Sequence, residues 1–242
     1  VWNLPAHASC PGESEVCMEL CYADKGNFAT HMAKYFRNFA ECQEPGWARL
    51  VVEDIQECSR KTKRRKNPPR YCRIHSSGDF FSLQYIYRWL YIVRSCPRVQ
   101  FFAFTRSWNV PTLLPALIEL SQLPNMELWW STDSSMPEPP YIPGVRVSYL
   151  SQNDDDVPLY FANKTFRDEN KRGRGLSPAK TLGPFASPIC PLGQHISPIV
   201  RKTVSCGTCG LCCDPATPKE EAAAAAARHA VSREFVPLEI LR

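Results

Sequence analysis

Between residues 71 and 152 the chain repeats one theme: an apolar run closes in small polar residues and gives way to an amphipathic stretch. That repeat leaves few folds open. "YCRIHSSGDF" (71–80) reads as a short strand ending in a Ser-Gly-Asp turn, and "SLQYIYRWLYIVRSC" (82–96) as an amphipathic helix. "VQFFAFTRSW" (99–108) is the next strand, and "VPTLLPALIELSQL" (110–123) a helix opening near a proline. "MELWWSTDSS" (126–135) and "VRVSYLSQ" (145–152) supply a third and a fourth strand. Strand, polar turn, helix, strand at this pitch predicts parallel βα units in an α/β fold. Buried parallel strands read as near-continuous apolar runs, and 99–104 and 126–130 do so.

Each expected strand closes on small polar or charged residues: Ser77-Gly78-Asp79, Thr105-Arg106-Ser107, Ser131-Thr132-Asp133, and Ser148 with Ser151. Parallel α/β folds place ligands at the carboxyl ends of their strands, so a site belongs here. The plainer role is helix capping, which is the expectation for Ser82 and Asn109.

Upstream, 17–41 reads as one helix, with Met18, Leu20, Tyr22, Phe28, Met32 and Tyr35 on an approximate stripe, and 46–61 as another. Past 152 the periodicity dissolves into a polar stretch (151–180), and the tail holds an alanine run that favours helix. A length of 242 residues allows one large domain or two small ones with a substantial core. No apolar run approaches the roughly eighteen residues of a membrane span, so no membrane partner is expected. The net charge of +5 is unevenly spread: "RKTKRRK", Arg60 to Lys66, holds six basic residues in seven, and "KRGRG" (171–175) adds a second patch. Such runs are solvated loops or phosphate-binding surfaces for nucleic acid, and both readings stay open.

The twelve cysteines are many for a chain that can build its own core. Cys42, Cys58, Cys72 and Cys96 are scattered and read as buried small apolar residues. The others fall into two tight groups, which suits shared metal coordination better than long-range disulfides. Near the carboxyl end, Cys206, Cys209 and Cys212 follow a C-x2-C-x2-C spacing, with Cys213 adjacent and Cys190-Pro191 upstream. A tight loop of this kind lets three thiolates reach three corners of an iron–sulfur cubane, with Gly207 and Gly210 allowing amides to approach the sulfides. Four thiolates around zinc are the competing reading. Near the amino end, Cys10, Cys17 and Cys21 are spaced C-x6-C-x3-C, with no fourth local thiolate. Three protein ligands and an open corner is the arrangement of a reactive metal centre.

Three cysteines in a loop before a helix, followed by parallel βα units, resemble the radical S-adenosylmethionine superfamily, although that family's loop is usually C-x3-C-x2-C. A closer resemblance rests on "NLPAHASCPGESEVCMELCYA", "RIHSSGDFFSLQYIYRW", "FFAFTRSW" and "CP…SCGTCGLCC", in order from residue 3 to 213. These segments are similar to the bacteriophage gene product 88 family. The phage resemblance implies a location in the cytoplasm of the bacterial host and a reading of both cysteine groups as metal sites. The radical-enzyme resemblance implies a partial parallel (β/α) barrel over 1–180, with a cysteine-rich extension over 181–242. It implies that Cys10, Cys17 and Cys21 hold a [4Fe–4S] cluster with one open iron. Gly78 and Asp79 would contact the amino group of S-adenosylmethionine, and Arg106 and Ser131 its carboxylate and ribose. One-electron reduction would then split the sulfonium carbon–sulfur bond and release an adenosyl radical. Cys190, Cys206, Cys209 and Cys212 would hold a second cluster, or zinc. The alternative is a non-enzymatic iron–sulfur or zinc module with a regulatory or nucleic-acid-associated role, its first cluster closed by Cys190, His75 or Asp79.

Overall fold

In the computed structural model the described residues are 1–24, 26–62, 71–151 and 164–167. Five strands, β1 (Tyr71–Ile74), β2 (Gln100–Thr105), β3 (Met126–Asp133), β4 (Arg146–Ser151) and β5 (Lys164–Arg167), form one sheet in chain order. Every neighbouring pair is parallel. A doubly wound sheet would reverse its order part-way, whereas chain order throughout keeps right-handed crossovers on one face. The expected α/β class and parallel sheet are therefore present. Among the described residues the sheet is an open one of five strands.

Register explains how the two faces differ. Ile74 lies opposite Ala103, Ala103 opposite Leu128, and Trp130 opposite Val147, so these side chains share one face. That face, with Phe101, Met126 and Tyr149, meets α5 (Leu83–Ser95) and α6 (Leu114–Ser121) in the main core. Helix α4 (Trp47–Thr62) packs in turn on α5. The opposite face carries Tyr71, Phe102, Phe104 and Trp129 as a small aromatic cluster, with Arg73 and Arg146 over its rings. Apolar positions three and four apart make α5 a helix, and the hydroxyl of Ser82 caps it by accepting from the Tyr85 amide. Asn125 ties the far end of the sheet together, its amide nitrogen donating to the carbonyls of Val93, Cys96 and Val99 at 3.1 Å each.

Several expectations need correction. The single helix over 17–41 is three: α1 (Glu15–Glu19), α2 (Gly26–Thr30) and α3 (Met32–Glu41), with a 3₁₀ turn at Tyr22–Asp24. Gly26 and Asn27 are poor helix formers, and His31 (φ −103°, ψ 5°) breaks the ladder before α3. Asn109 is no N-cap: it ends a 3₁₀ turn, Ser107–Asn109, and α6 starts only at Leu114. Val110 is held extended by Pro111, which delays the helix. Cys42 and Cys96 are buried as expected and Cys72 partly so, but Cys58 is exposed on α4. Among the described residues no helix is long and apolar enough to cross a membrane. The boundary near 180, Lys63–Lys66 of the basic run, the 171–175 patch, the alanine-rich tail, Cys190, Cys206, Cys209, Cys212 and Cys213 all lie outside the described residues.

Candidate metal centre

The amino-terminal segment reaches the carboxyl ends of the strands because its backbone extends β1. Trp2 pairs with Ile74 in parallel, and the His75 amide donates to the Trp2 carbonyl at 3.0 Å. Beyond the strand the Leu4 amide donates to the Ser77 carbonyl (2.9 Å), and the Ser77 hydroxyl donates to the Leu4 carbonyl (2.8 Å). Asn3 accepts on Oδ1 from the amides of Ser76 (2.7 Å) and Ser77 (3.3 Å). Two glycines permit this closeness. Gly78 has φ +82°, and a Cβ there would stand 2.5 Å from both Leu4 Cβ and Ser9 Oγ. At Gly12 a Cβ would stand 2.2 Å from the Arg106 carbonyl oxygen.

The loop so docked carries Cys10, and the helix after it carries Cys17. Ser14 caps α1, accepting from the Cys17 amide at 3.0 Å, while its hydroxyl donates to Asp133 Oδ2 at the end of β3. Arg106, just past β2, donates from Nη1 to the same Asp133 oxygen, to Ser14 Oγ (3.2 Å) and to Met136 Sδ (2.9 Å). The pair is enclosed, with side-chain exposures of 8% and 0%. Burial works against the charged carboxyl of Asp133, but the Arg106 guanidinium and the hydroxyls of Ser14 and Ser135 overcome it and hold the group below its ordinary value.

Asp79 is fully occupied. Its Oδ1 accepts from the Phe80 amide (2.7 Å) and the Thr105 hydroxyl (2.6 Å), and its Oδ2 from the amides of Arg106 (2.8 Å) and Ser107 (3.2 Å). Burial pushes this carboxyl up, and the four donors pull against that rise. The residue welds the turn after β1 to the start of the 3₁₀ turn after β2.

Cys10, Cys17 and Cys21 are free and partly buried. Burial pushes all three thiols up. Asp79 adds to the effect at Cys10, while Arg106 opposes it at Cys17. Cys17 adds to the rise at Cys10 and Cys21 to that at Cys17, and all three act on Tyr22, whose hydroxyl donates to the Ser76 carbonyl. The fold therefore brings together Cys10, Cys17, Cys21, Gly78, Asp79 and Arg106. Ser131 sits two residues below Asp133, opposite Ser148, and its carbonyl accepts from Trp108 Nε1 at 2.8 Å.

Beside the thiols His7, at φ +60°, bridges two acids. Its Nδ1 lies 2.7 Å from Glu13 Oε2 and its Nε2 2.9 Å from Asp24 Oδ2. Hydrogen bonds that its ring N–H groups donate to the Asp24 and Glu13 carboxylates raise its pKa. His7, Cys21 and Asp24 present ligand atoms within 4.8 Å of one another. Sequence reasoning passed over His7, Gly12 and the Ser14 cap. The Ser14–Cys17 spacing is that of a capping residue and its amide, and was the one legible signal.

Comparison with known proteins bears on the phage resemblance. A family model described as gene product 88 matches residues 1–215. The chain belongs to the gene product 88 family. Among its curated relatives is the gene 88 protein of Mycobacterium phage L5, 26% identical over 216 residues that span 84% of this chain and 77% of the relative. The gene 88 protein of Mycobacterium phage D29 is 24% identical over 214 residues, covering 84% and 78% respectively. No solved structure matches this gene product 88 chain.

Proposed function

We propose that this gene product 88 protein is an iron–sulfur protein of the radical S-adenosylmethionine type. In this reading Cys10, Cys17 and Cys21 hold a [4Fe–4S] cluster over the carboxyl ends of a partial (β/α) barrel. The observation that carries the reading is the convergence of three partly buried thiols on the turns after β1, β2 and β3, the ends where parallel α/β folds place their chemistry. The donor set fits the group. Burial keeps these thiols protonated unless a cation offsets it, and only at Cys17 does a side-chain cation, Arg106, do so. A bound metal supplies the missing positive charge, so loading and thiol deprotonation are linked. Chain-order parallel strands, with helices on one face, are the arrangement from which such barrels are built.

Cys10, Cys17 and Cys21 would hold the cluster, which would supply one-electron reduction of the sulfonium of S-adenosylmethionine when bound. The chain's own residues have other tasks. Gly12 and Gly78 let the cysteine loop lie against the sheet, Asp79 fixes the two turns beneath it, and the Ser14–Asp133–Arg106 group orients α1 and with it Cys17. With four donors on its carboxylate, Asp79 serves as a positioning residue for that pocket. Cys190, Cys206, Cys209 and Cys212 would hold a second cluster, with zinc as the other occupant that spacing permits. A cytoplasmic place in the host follows from the phage relatives in the same reading.

One observation favours a second reading, a non-enzymatic module built on a single ion. His7, Cys21 and Asp24 stand within 4.8 Å of one another, and Glu13 on the far ring nitrogen is the carboxylate that commonly orients a ligating histidine. A tetrahedral zinc draws thiolates to about 3.8 Å, given its bond of about 2.3 Å, and Cys10 and Cys17 stand outside that trio. The basic run Arg60–Lys66 would then give the module a nucleic-acid affinity that falls steeply with salt.

The test is anaerobic purification followed by metal and sulfide assay, then dithionite reduction with S-adenosylmethionine. Iron and labile sulfide in equal amounts, lost from the amino-terminal site in Cys17→Ala, with 5′-deoxyadenosine as product, is the expected result. Zinc that survives Cys17→Ala but not His7→Ala supports the second reading. A folded, colourless, iron-free protein overturns the first.

A further inference from the structure

On the iron–sulfur reading Cys10, Cys17 and Cys21 supply three ligands to a cluster that has four corners. Two residues that the sequence offered for the last corner are already spent. His75 turns its ring into the core among Phe80, Tyr85 and Trp89, with Nε2 2.9 Å from the Tyr85 hydroxyl. Asp79 accepts on both carboxylate oxygens, from the amides of Phe80, Arg106 and Ser107 and the hydroxyl of Thr105. Neither can turn toward the thiols without leaving buried polar groups unpaired.

His7 is placed differently. Its carbonyl accepts from the Cys10 amide at 3.1 Å, so it belongs to the turn that carries the first thiol. It presents a ring nitrogen within 4.8 Å of Cys21 Sγ, the last of the three. Glu13, whose own amide donates to the Cys10 carbonyl at 3.1 Å, holds His7 Nδ1 at 2.7 Å. A carboxylate on one ring nitrogen fixes the tautomer that offers the other to a metal. That other nitrogen, Nε2, meets Asp24, whose side chain is 43% exposed and can turn to water at little cost when a metal takes its place.

We propose that His7, through Nε2, is the fourth protein ligand of the cluster held by Cys10, Cys17 and Cys21. The inference rests on the iron–sulfur reading above and adds to it the group that guards the last iron at rest. As the nitrogen–iron bond forms, the Nε2 proton passes to solvent and Nδ1 keeps its hydrogen bond to Glu13. Imidazole brings no negative charge, so this corner is held less firmly than the three thiolate corners and is the one an incoming ligand can take.

The test uses the anaerobically purified full chain, grown on heavy-nitrogen histidine, reduced with dithionite and read by pulsed electron paramagnetic resonance. Wild type is expected to show the hyperfine coupling of a directly bound histidine nitrogen. His7→Asn removes the imidazole but keeps a residue suited to φ +60°, and should abolish the coupling with iron still bound. His31→Ala should leave it unchanged. Under ferricyanide His7→Asn should lose its first iron about tenfold faster than wild type or more. His7→Cys, which replaces the imidazole by a thiolate, should lose the coupling yet release iron no faster than wild type, and it gives the same reading if His7→Asn holds no iron. Iron-loaded wild type without histidine coupling, or coupling that survives in His7→Asn or His7→Cys, overturns this inference and leaves the iron–sulfur reading standing. An iron-free wild-type preparation overturns both.

Discussion

The two faces of this sheet bury ionisable groups by opposite means. On the helix-covered face His75 is enclosed by Phe80, Tyr85 and Trp89, its Nε2 2.9 Å from the Tyr85 hydroxyl and its Nδ1 without a partner. Burial there pushes the imidazole down to about 3, so it is folded neutral. On the opposite face and at the mouth, charges are kept and matched instead: Glu127 with Arg146, and Asp133 with Arg106. A dry aliphatic and aromatic layer excludes charge, whereas a face that retains buried charge needs partners for it. The covered face is scaffold. The mouth is where specificity can be written.

If that division holds, damage to the covered face should unfold the protein without selective loss at the mouth. Trp89 is 1% exposed and packs edge-on against Trp47 and Tyr85. Trp89→Ala is expected to cost about 3–5 kcal/mol in urea unfolding. On the proposed iron–sulfur reading, whatever fraction stays folded should hold as much iron as wild type. Iron loss that runs ahead of unfolding would break the comparison.

His75 gives the second test, through pH. Its folded value lies below its ordinary 6.5, so the unfolded chain takes up a proton that the folded chain refuses. Stability from this group is full above about pH 6.5 and declines toward about pH 3, at roughly 1.4 kcal/mol per unit of pH within that window. Unfolding free energies at pH 7 and pH 5 should therefore differ by about 2 kcal/mol from this residue, and His75→Gln should flatten the slope. An unchanged slope would mean that the imidazole is hydrated or paired in the folded protein.

The covered face was the legible part. Leu, Ile, Val and aromatic residues at helical and strand spacings predicted β1 to β4, α5 and α6 to within a few residues, because burial against a helix layer imposes periodicity on the chain. The mouth was half legible. Its residues could be named, since Asp79, Arg106 and Asp133 follow apolar runs, but their partners could not. Asp79 takes its donors from Thr105, Arg106 and Ser107, some 26 to 28 positions away, and Ser14 meets Asp133 across 119. No local pattern encodes such pairings. The broken helix between 17 and 41 failed for a related reason: the stripe persists through turns whose direction is set by tertiary contacts such as that between Asp24 and His7.

A third test removes charge from the mouth and leaves shape. Asp133→Asn keeps an acceptor for Ser14 and Ser135 but strands the Arg106 guanidinium in an enclosed site. A loss of about 2 kcal/mol at pH 7 is expected, less than a full truncation because the amide retains part of the network. The carboxyl's folded value is depressed, so its contribution is present above its ordinary value of 3.8 and disappears as pH falls through the folded value. Wild type and Asp133→Asn should therefore converge in stability as pH falls through that depressed value. Parallel curves down to that pH would show that the pair contributes nothing through charge.

The smallest effect is expected where neither face is involved. Arg94 on α5 reaches Glu119 on α6 at 2.8 Å, with side-chain exposures of 56% and 47%. Water screens both charges, and holding two long side chains in one geometry offsets much of the attraction, so Arg94→Ala should cost no more than about 0.5 kcal/mol. The pair nonetheless bridges the two helices that cover the sheet. A cost several times larger, abolished by the double variant Arg94→Ala/Glu119→Ala, would show that the covered face too depends on matched charge. The contrast between scaffold and mouth would then be one of degree.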